Sequence, residues 1–432
     1  MTEAFINIWG KRVGAIAWNA GSGIGSFEFE PLFLQNKWDI SPLKMPINNT
    51  GNNIFSFPEL ARNNTFKGLP GLLADILPDK YGNALMNAWL AKNGRPSDSL
   101  NPVEILCFMG KRAMGALEFE PVVPAGTNTS TKVEISSLVK IAEEILSGRQ
   151  NFKTGLTDDE NKALLDILKI GTSAGGARAK AVIAYNAETN EVLSGQTTAP
   201  KGFEHWLIKF DGVKDSQFGA THGYGRVEMA YYLMAKDCGI DMMECRLLTE
   251  HDRAHFMTRR FDRPNGKDKL HMQSFCAMQH YDFNEVNYYS YEQLFETMRL
   301  LGLPFPQAEQ LYRRMVFNVL ARNCDDHTKN FAFIMAKDGA WKLSPAYDVC
   351  HAYDPAHRWV SQQCLSVNGK RKNITRNDLL HVASQISLKK GNEIINQIKE
   401  TVERWPYYAD QTDIADKLKS AINTTIVEQN LI

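Results

Sequence analysis

The feature that most constrains this chain is a short polar run, NCDDHTKNFAF, from Asn323 to Phe333, held between two apolar segments. RRMVFNVLARN leads into it, and it passes at once into another apolar patch. Polar groups placed beside core are costly unless they find partners. A fold that brings two carboxylates, an imidazole, an ammonium and an amide together here must therefore give them work or partners. Three readings are open: a metal site, a polar helix exit, or the catalytic loop of a phosphotransferase.

The 432 residues leave room for two or three domains, and 44% hydrophobic with 23% charged residues is the balance of a soluble globular chain. Lys plus Arg and Asp plus Glu are equal at 49 each, so the chain as a whole has no electrostatic footprint for nucleic acid or membrane. A local basic patch stays open. MTEAFINIWG has no basic stretch followed by an apolar one, and no apolar run reaches the length of a membrane span. The seven cysteines are odd in number, none in C-x-x-C spacing, and most lie among apolar residues. That pattern argues against a disulfide framework and for a reducing compartment, so the expected location is cytoplasmic.

AFINIWGKRVGAIAW reads as two strands around a Gly10-Lys11 turn, and GSFEFEPLFL as a third. GLLADILPDKYGNALMNAWLAKNG is helical in pattern, broken at Pro78 and stopped near Gly94. A Pro-, Thr-, Asn- and Gly-rich stretch from Pro121 to Lys132 is the best linker. Two amphipathic helices follow, SSLVKIAEEILSG and DDENKALLDILKIG, then strands in AKAVIAYN, EVLSGQ and HWLIKFDG. GRVEMAYYLMAKDCG reads as a helix, and HFMTRRFDRPNGKDKLHMQSF as a hairpin turning at RPNG. From about Tyr281 onward the pattern is mainly helical.

The expected architecture is α+β: a two-lobe, protein-kinase-like fold with an N-terminal accessory β-rich region and an all-helical C-terminal lobe. The expected parts are residues 1–125, 132–275 and 276–432.

Phosphoryl transfer asks for a phosphate cradle, a cation, magnesium ligands and a carboxylate that orients the attacking hydroxyl. Asp325 and Asn330 stand five positions apart, the separation of base and metal ligand in the protein-kinase catalytic loop. Asp326 does not fit that spacing. Lys329 is a candidate for holding the transferring phosphate, and lying in solvent is the alternative. Asp348, in LSPAYDVC, follows the expected hairpin NFAFIMAKDGAWKLSP and is the second candidate metal ligand. The rival metal reading gathers Asp325, Asp326, His327, Asp348, His351 and His357 into a hydrolase centre, although no H-E-x-x-H or H-x-x-E-H spacing supports it.

Upstream, IGTSAGGARAKAVIAYN places Gly171, Gly175 and Gly176 between a helix and a strand, with Ser173, Arg178 and Lys180 suited to an anion. The run is neither a Walker A pattern nor G-x-G-x-x-G, and a plain turn is the alternative. Lys209 interrupts the apolar strand HWLIKFDG, and Glu228, read in the first turn of the next helix, is its candidate partner. A hinge at MQSFCAM would receive adenine through backbone groups near Gln273, Ser274 and Phe275. The order Gly-rich loop, strand Lys, helix Glu, hinge, Asp-x-x-x-x-Asn, hairpin and Asp is that of a kinase.

These residues also carry a family resemblance. FEFEPLFLQNKWDISPLKMPI, FKGLPGLLADILPDKYGNALM and GKRAMGALEFEP resemble the N-terminal region of the HipA toxin kinases. GTSAGGARAKA, HWLIKF, RRFDR, DDHTKNFAF and LSPAYD resemble their kinase core. The resemblance implies a serine/threonine kinase using ATP and Mg²⁺. Asp325 would be its base, Asn330 and Asp348 its metal ligands, and Lys209 would hold the phosphates. Ser173, Ala174 and Ala177 would lie at the nucleotide with Gln273 and Phe275, and His327 would support the loop. Ser173 would be autophosphorylated. It further implies a helix-turn-helix antitoxin of the HipB type, operator DNA reached through it, and an aminoacyl-tRNA synthetase as substrate with growth arrest as the result. Ala179 stands where relatives often carry Pro. A small-molecule kinase of the aminoglycoside-phosphotransferase kind and a non-enzymatic repressor partner are the alternatives.

Overall fold

The computed structural model describes residues 2–48, 53–122, 134–146, 167, 171, 178–194, 199–213, 223–266 and 268–430. The chain divides into two compact units. The first holds Met1–His222, Arg246–Met272 and Ala336–Gly339, and the second holds Gly223–Cys245, Gln273–Met335 and Ala340–Ile432.

The first unit opens with an antiparallel sheet built from β1 (Thr2–Ile8), β2 (Lys11–Asn19), β3 (Ile24–Phe29), β4 (Ile54–Phe55) and β5 (Leu117–Glu120), in the order β4-β3-β2-β1-β5. The β1–β2 turn is Trp9-Gly10, one residue earlier than the sequence pattern suggested. Ile8 faces Lys11, and both turn residues have positive φ, which matches the right-handed twist of the flanking strands. PLFL leaves the strand and forms a single 3-10 turn, Phe33–Gln35. The helical segment breaks at Pro78 as expected, and Asp79 caps Lys80–Lys92 by accepting from the Gly82 amide at 2.7 Å.

A second sheet contains β6 (Lys180–Asn186), β7 (Glu191–Ser194), β8 (Glu204–Lys209), β9 (Cys245–Glu250) and β10 (Arg253–Arg259), ordered β7-β6-β8-β10-β9. Its apolar face packs with Tyr81 and Leu85 from one helix and Leu138 and Val139 from the helix Ile135–Leu146. β6 is buried along nearly its whole length, which its uninterrupted apolar run requires. Most of the second amphipathic segment, DDENKALLDILKIG, and most of the linker lie outside the described residues.

One expected hairpin does not form. β10 pairs with β8 and β9, whereas β11 (His271–Ser274) belongs to a separate three-stranded sheet with β12 (Ala332–Met335) and β13 (Trp341–Leu343). The cause is the RRFDR segment between them. Asp262 accepts from Arg260 at 2.9 and 2.7 Å, from Arg263 at 2.7 Å and from the Gly115 amide at 2.7 Å, all buried. Arg263 also donates to the Ala113 and Gly115 carbonyls. A buried carboxylate with this many donors fixes the chain in an irregular path, so RPNG marks a turn without strand pairing.

The second unit is helical apart from β12, β13 and the end of β11. Its helices are Tyr224–Asp237, Phe275–Gln279, Tyr291–Leu300, Phe305–Leu320, Arg376–Gln385, Gly391–Glu403, Trp405–Gln411 and Asp416–Asn430. Phe333 faces Leu343 across the β12–β13 hairpin, as the alternation of that segment predicts. Among the described residues no helix is long and apolar enough to cross a membrane. All seven cysteines are free thiols, six of them buried.

Candidate active site

The helix Phe305–Leu320 ends with the Ala321 amide donating to the Phe317 carbonyl, and Arg322, at φ +55°, turns the chain out of it. The next residues do not wander. The Cys324 amide donates to the Ala352 carbonyl and the Ala352 amide donates to that of Arg322, each at 3.0 Å. This bridge ties the start of the polar run to the segment just after Asp348.

The two adjacent aspartates then part company. The Asp325 side chain is 39% exposed, while Asp326 is 1% exposed. Asp326 Oδ2 accepts from the Tyr291 hydroxyl and Oδ1 from the Cys364 amide, both at 2.7 Å. Tyr291 in turn accepts from Asn318 Nδ2 at 3.0 Å, and Asn318 Oδ1 accepts from Asn323 Nδ2 at 2.9 Å. Burial raises the Asp326 carboxyl to about 7, with the Tyr291 and Cys364 bonds opposing the rise. Asp326 is an anchor.

Asp325 keeps its carboxylate at the surface and lends its backbone to the loop. Asn330 Nδ2 donates to the Asp325 carbonyl at 2.6 Å, which assigns the amide oxygen of Asn330 as the group left for a cation. His327 caps the turn Thr328–Asn330 by accepting from the Lys329 amide at Nδ1, 3.2 Å away. Its Nε2 lies 3.8 Å from Asp325 Oδ1. Burial lowers the His327 pKa, against the pull of Asp325 and Asp348, and favours the neutral ring. Lys329 Nζ lies 4.8 Å from the centre of the Phe283 ring, and the Tyr347 hydroxyl donates to the Lys329 carbonyl at 2.7 Å.

Asp348 has φ +53°, a conformation that Asp and Asn tolerate better than most residues. The Ser344–Asp348 segment is held by Arg314, which donates to the Ser344 carbonyl at 2.7 Å, and by the Ala346 amide, which donates to that of Asp241 at 2.8 Å. Burial lowers the Arg314 pKa to about 10. Asn330 and Asp348 line one small cavity together with Asn318, Asn323 and Asp326. The amide of Asn330 and the carboxylate of Asp348 are hard oxygen donors, the set that suits magnesium, which usually keeps several waters and takes few protein ligands.

The hydrolase alternative finds no such support. Asp326 is consumed as described, and buried His351 bonds Thr425 Oγ1 at 2.9 Å through Nε2. Among the described residues no group of three or more His, Cys, Asp or Glu side chains is arranged to hold a metal.

The remaining predicted residues are distributed over both units. Lys209 closes β8 in the first unit, opposite Phe256 of β10 and Lys180 of β6, with Nζ 5.7 Å from the Phe256 ring. Lys180 is buried with Nζ 3.7 Å from Asp79. Glu228 belongs to the second unit, buried in the second turn of Tyr224–Asp237, one turn later than the pattern suggested. Gln273 and Phe275 are fully buried. The Phe275 amide donates to the Phe331 carbonyl at 2.8 Å and the Ser274 hydroxyl caps Phe275–Gln279. Backbone recognition at that hinge therefore falls to groups other than the Phe275 N–H. Ser173, Ala174 and Ala177 lie outside the described residues.

Sequence reasoning missed three contributors. Trp359 Nε1 donates to Asp325 Oδ1 at 2.6 Å, Tyr291 anchors Asp326, and Phe283 packs on His327. Trp359 and Tyr291 stand 34 and 35 residues from the aspartates they touch, so no local pattern announces them.

Two sheets followed by helices, with Asp-x-x-x-x-Asn, a short hairpin and Asp in sequence, define a kinase-like α+β fold. The comparisons narrow this. Residues 4–120 match the HipA N-terminal domain and residues 172–405 match the HipA-like C-terminal domain. The chain belongs to the HipA family. A protein of Sinorhizobium fredii named "Putative kinase Y4dM" is 26% identical over 266 residues, covering 56% of this chain and 61% of that protein. A Haemophilus influenzae protein named "Putative kinase" is 29% identical over 134 residues, covering 28% of this chain and 39% of that one. The chain thus spans less than two thirds of each of these relatives. HipA of Shewanella oneidensis MR-1, solved with HipB and its operator DNA, superposes with a TM-score of 0.68 over 99% of this chain and 96% of that one. At 15% identity, that likeness shows a shared fold.

Proposed function

We propose that this chain is an ATP- and Mg²⁺-dependent serine/threonine protein kinase and the toxin of a bacterial toxin–antitoxin pair. The observation that carries the reading is the division of labour between neighbours. Asp326 is buried and fully bonded, while Asp325 stays accessible on a loop that also positions Asn330 beside the cavity shared with Asp348. In this reading Asp325 accepts the proton of the substrate hydroxyl. Asn330 and Asp348 hold magnesium, whose chemistry is to neutralise charge on the β- and γ-phosphates. Lys209 holds phosphate oxygens, Lys329 holds the transferring group, Gln273 and Phe275 wall the adenine, and Glu228 is a supporting residue. The three-part division at residues 1–125, 132–275 and 276–432 belongs to the same proposal.

Autophosphorylation of Ser173 would place a dianion among the amides that serve the nucleotide, which makes it a self-limiting event. A helix-turn-helix partner of the HipB type, operator DNA bound through it, and an aminoacyl-tRNA synthetase as substrate follow from the family resemblance. The test is transfer from radiolabelled ATP with and without EDTA, followed by phosphoamino-acid analysis. Mg²⁺-dependent phosphoserine or phosphothreonine is expected. Phosphate appearing only on small molecules would replace the reading.

A further inference from the structure

Asp325 is held by more than its own loop. Trp359 Nε1 donates to its Oδ1 at 2.6 Å, a short bond to a charged acceptor. The Trp359 ring meets Phe283 at 6.1 Å and His327 at 6.0 Å, and Phe283 meets His327 at 5.3 Å. Each ring touches the other two, with the contacts edge-on or tilted, the arrangements aromatic pairs prefer. Trp359 does not hang freely from this triangle. Its amide donates to His357 Nδ1 at 3.1 Å, and the Ser361 amide donates to the His357 carbonyl at 3.1 Å. The His357 amide itself donates to the Asp354 carbonyl at 3.1 Å, so the indole is presented from a closed turn.

We propose that Trp359 is a positioning residue for the reaction at Asp325. Its N–H occupies Oδ1 and fixes the plane of the carboxylate, which assigns Oδ2 as the oxygen that receives the hydroxyl proton. The inference rests on the kinase reading and adds to it a residue that no spacing rule assigns. A carboxylate free to rotate spends part of its time misdirected, and small misplacements of a reacting group are expensive in rate. Loss of this one bond therefore acts on turnover and leaves nucleotide affinity alone.

The test is Trp359→Phe in the full chain, which keeps a ring against Phe283 and His327 and deletes the donor. kcat is expected to fall about ten- to a hundredfold, the worth of one hydrogen bond to a charged group. KM for Mg-ATP should stay as in the parent, and kcat is taken per folded molecule because losing the bond also lowers the melting temperature by a few degrees. An unchanged kcat in an active parent, or a fall that only follows loss of folded protein, would overturn the role. A second readout needs no activity. Of eight tryptophan indole ¹⁵N–H signals, the one missing in Trp359→Phe should move upfield in Asp325→Asn. If it holds its position, the contact is wrong. If it moves while the parent transfers no phosphate, the contact stands, and the kinase reading and the role fall together.

Discussion

The Tyr291 hydroxyl donates to Asp326 Oδ2 at 2.7 Å, while the neighbouring carboxylate of Asp325 remains accessible. One residue of separation thus divides a buried anchor from an accessible carboxylate. The network through Asn318 and Asn323 extends that anchor into the helix Phe305–Leu320 and makes the loop part of the core.

Asp326 carries a pH signature. Its pKa is raised by burial from 3.8 to about 7, so the folded state binds the proton more tightly than the unfolded chain. Stability contributed by this group is present below about pH 4 and is lost as pH rises towards 7. Asp326→Asn removes the titration. Its cost in stability should be greater at pH 5 than at pH 8, measured by urea unfolding at both. Equal costs would mean that Asp326 does not titrate in this window.

Asp348 and Asn330 should matter for magnesium and little for folding. Asp348→Asn keeps a side chain suited to positive φ and removes the charge. Calorimetry should show ADP affinity that no longer rises when Mg²⁺ is added, with an unchanged melting temperature. Retained Mg²⁺ dependence would take Asp348 out of the ligand set.

The RRFDR cluster predicts the opposite pattern. Asp262 is fully buried; burial alone would raise its pKa, but Arg260 and Arg263 hold it well below the ordinary carboxylate range. Its contribution is therefore present above pH 4 and erodes in stronger acid. Asp262→Ala leaves two buried guanidiniums uncompensated and should cost about 3–5 kcal/mol, read as a drop in the urea midpoint at pH 7. A loss under 1 kcal/mol would show that water reaches the cluster.

Much of this was legible in the residues. Alternation and turn chemistry give β1, β2 and the β12–β13 hairpin, and the five-residue spacing separates Asp325 from Asp326 before any burial is known. What escaped is non-local. The RPNG turn is real, but pairing beyond it is decided by Asp262 and Arg263 through their contacts with Gly115 and Ala113, about 150 positions earlier. Trp359 and Tyr291 are likewise invisible from sequence, because an isolated aromatic gives no sign of the carboxylate it will meet.

The most direct test of the account compares Asp325→Asn with the parent in a phosphoryl-transfer assay with Mg-ATP. Asp325 is partly exposed and Asn keeps an acceptor for the Trp359 N–H, so the variant should stay folded, yet its rate should fall by about 10²–10⁴. Transfer at the parental rate by folded Asp325→Asn would contradict the assignment of this residue as the base.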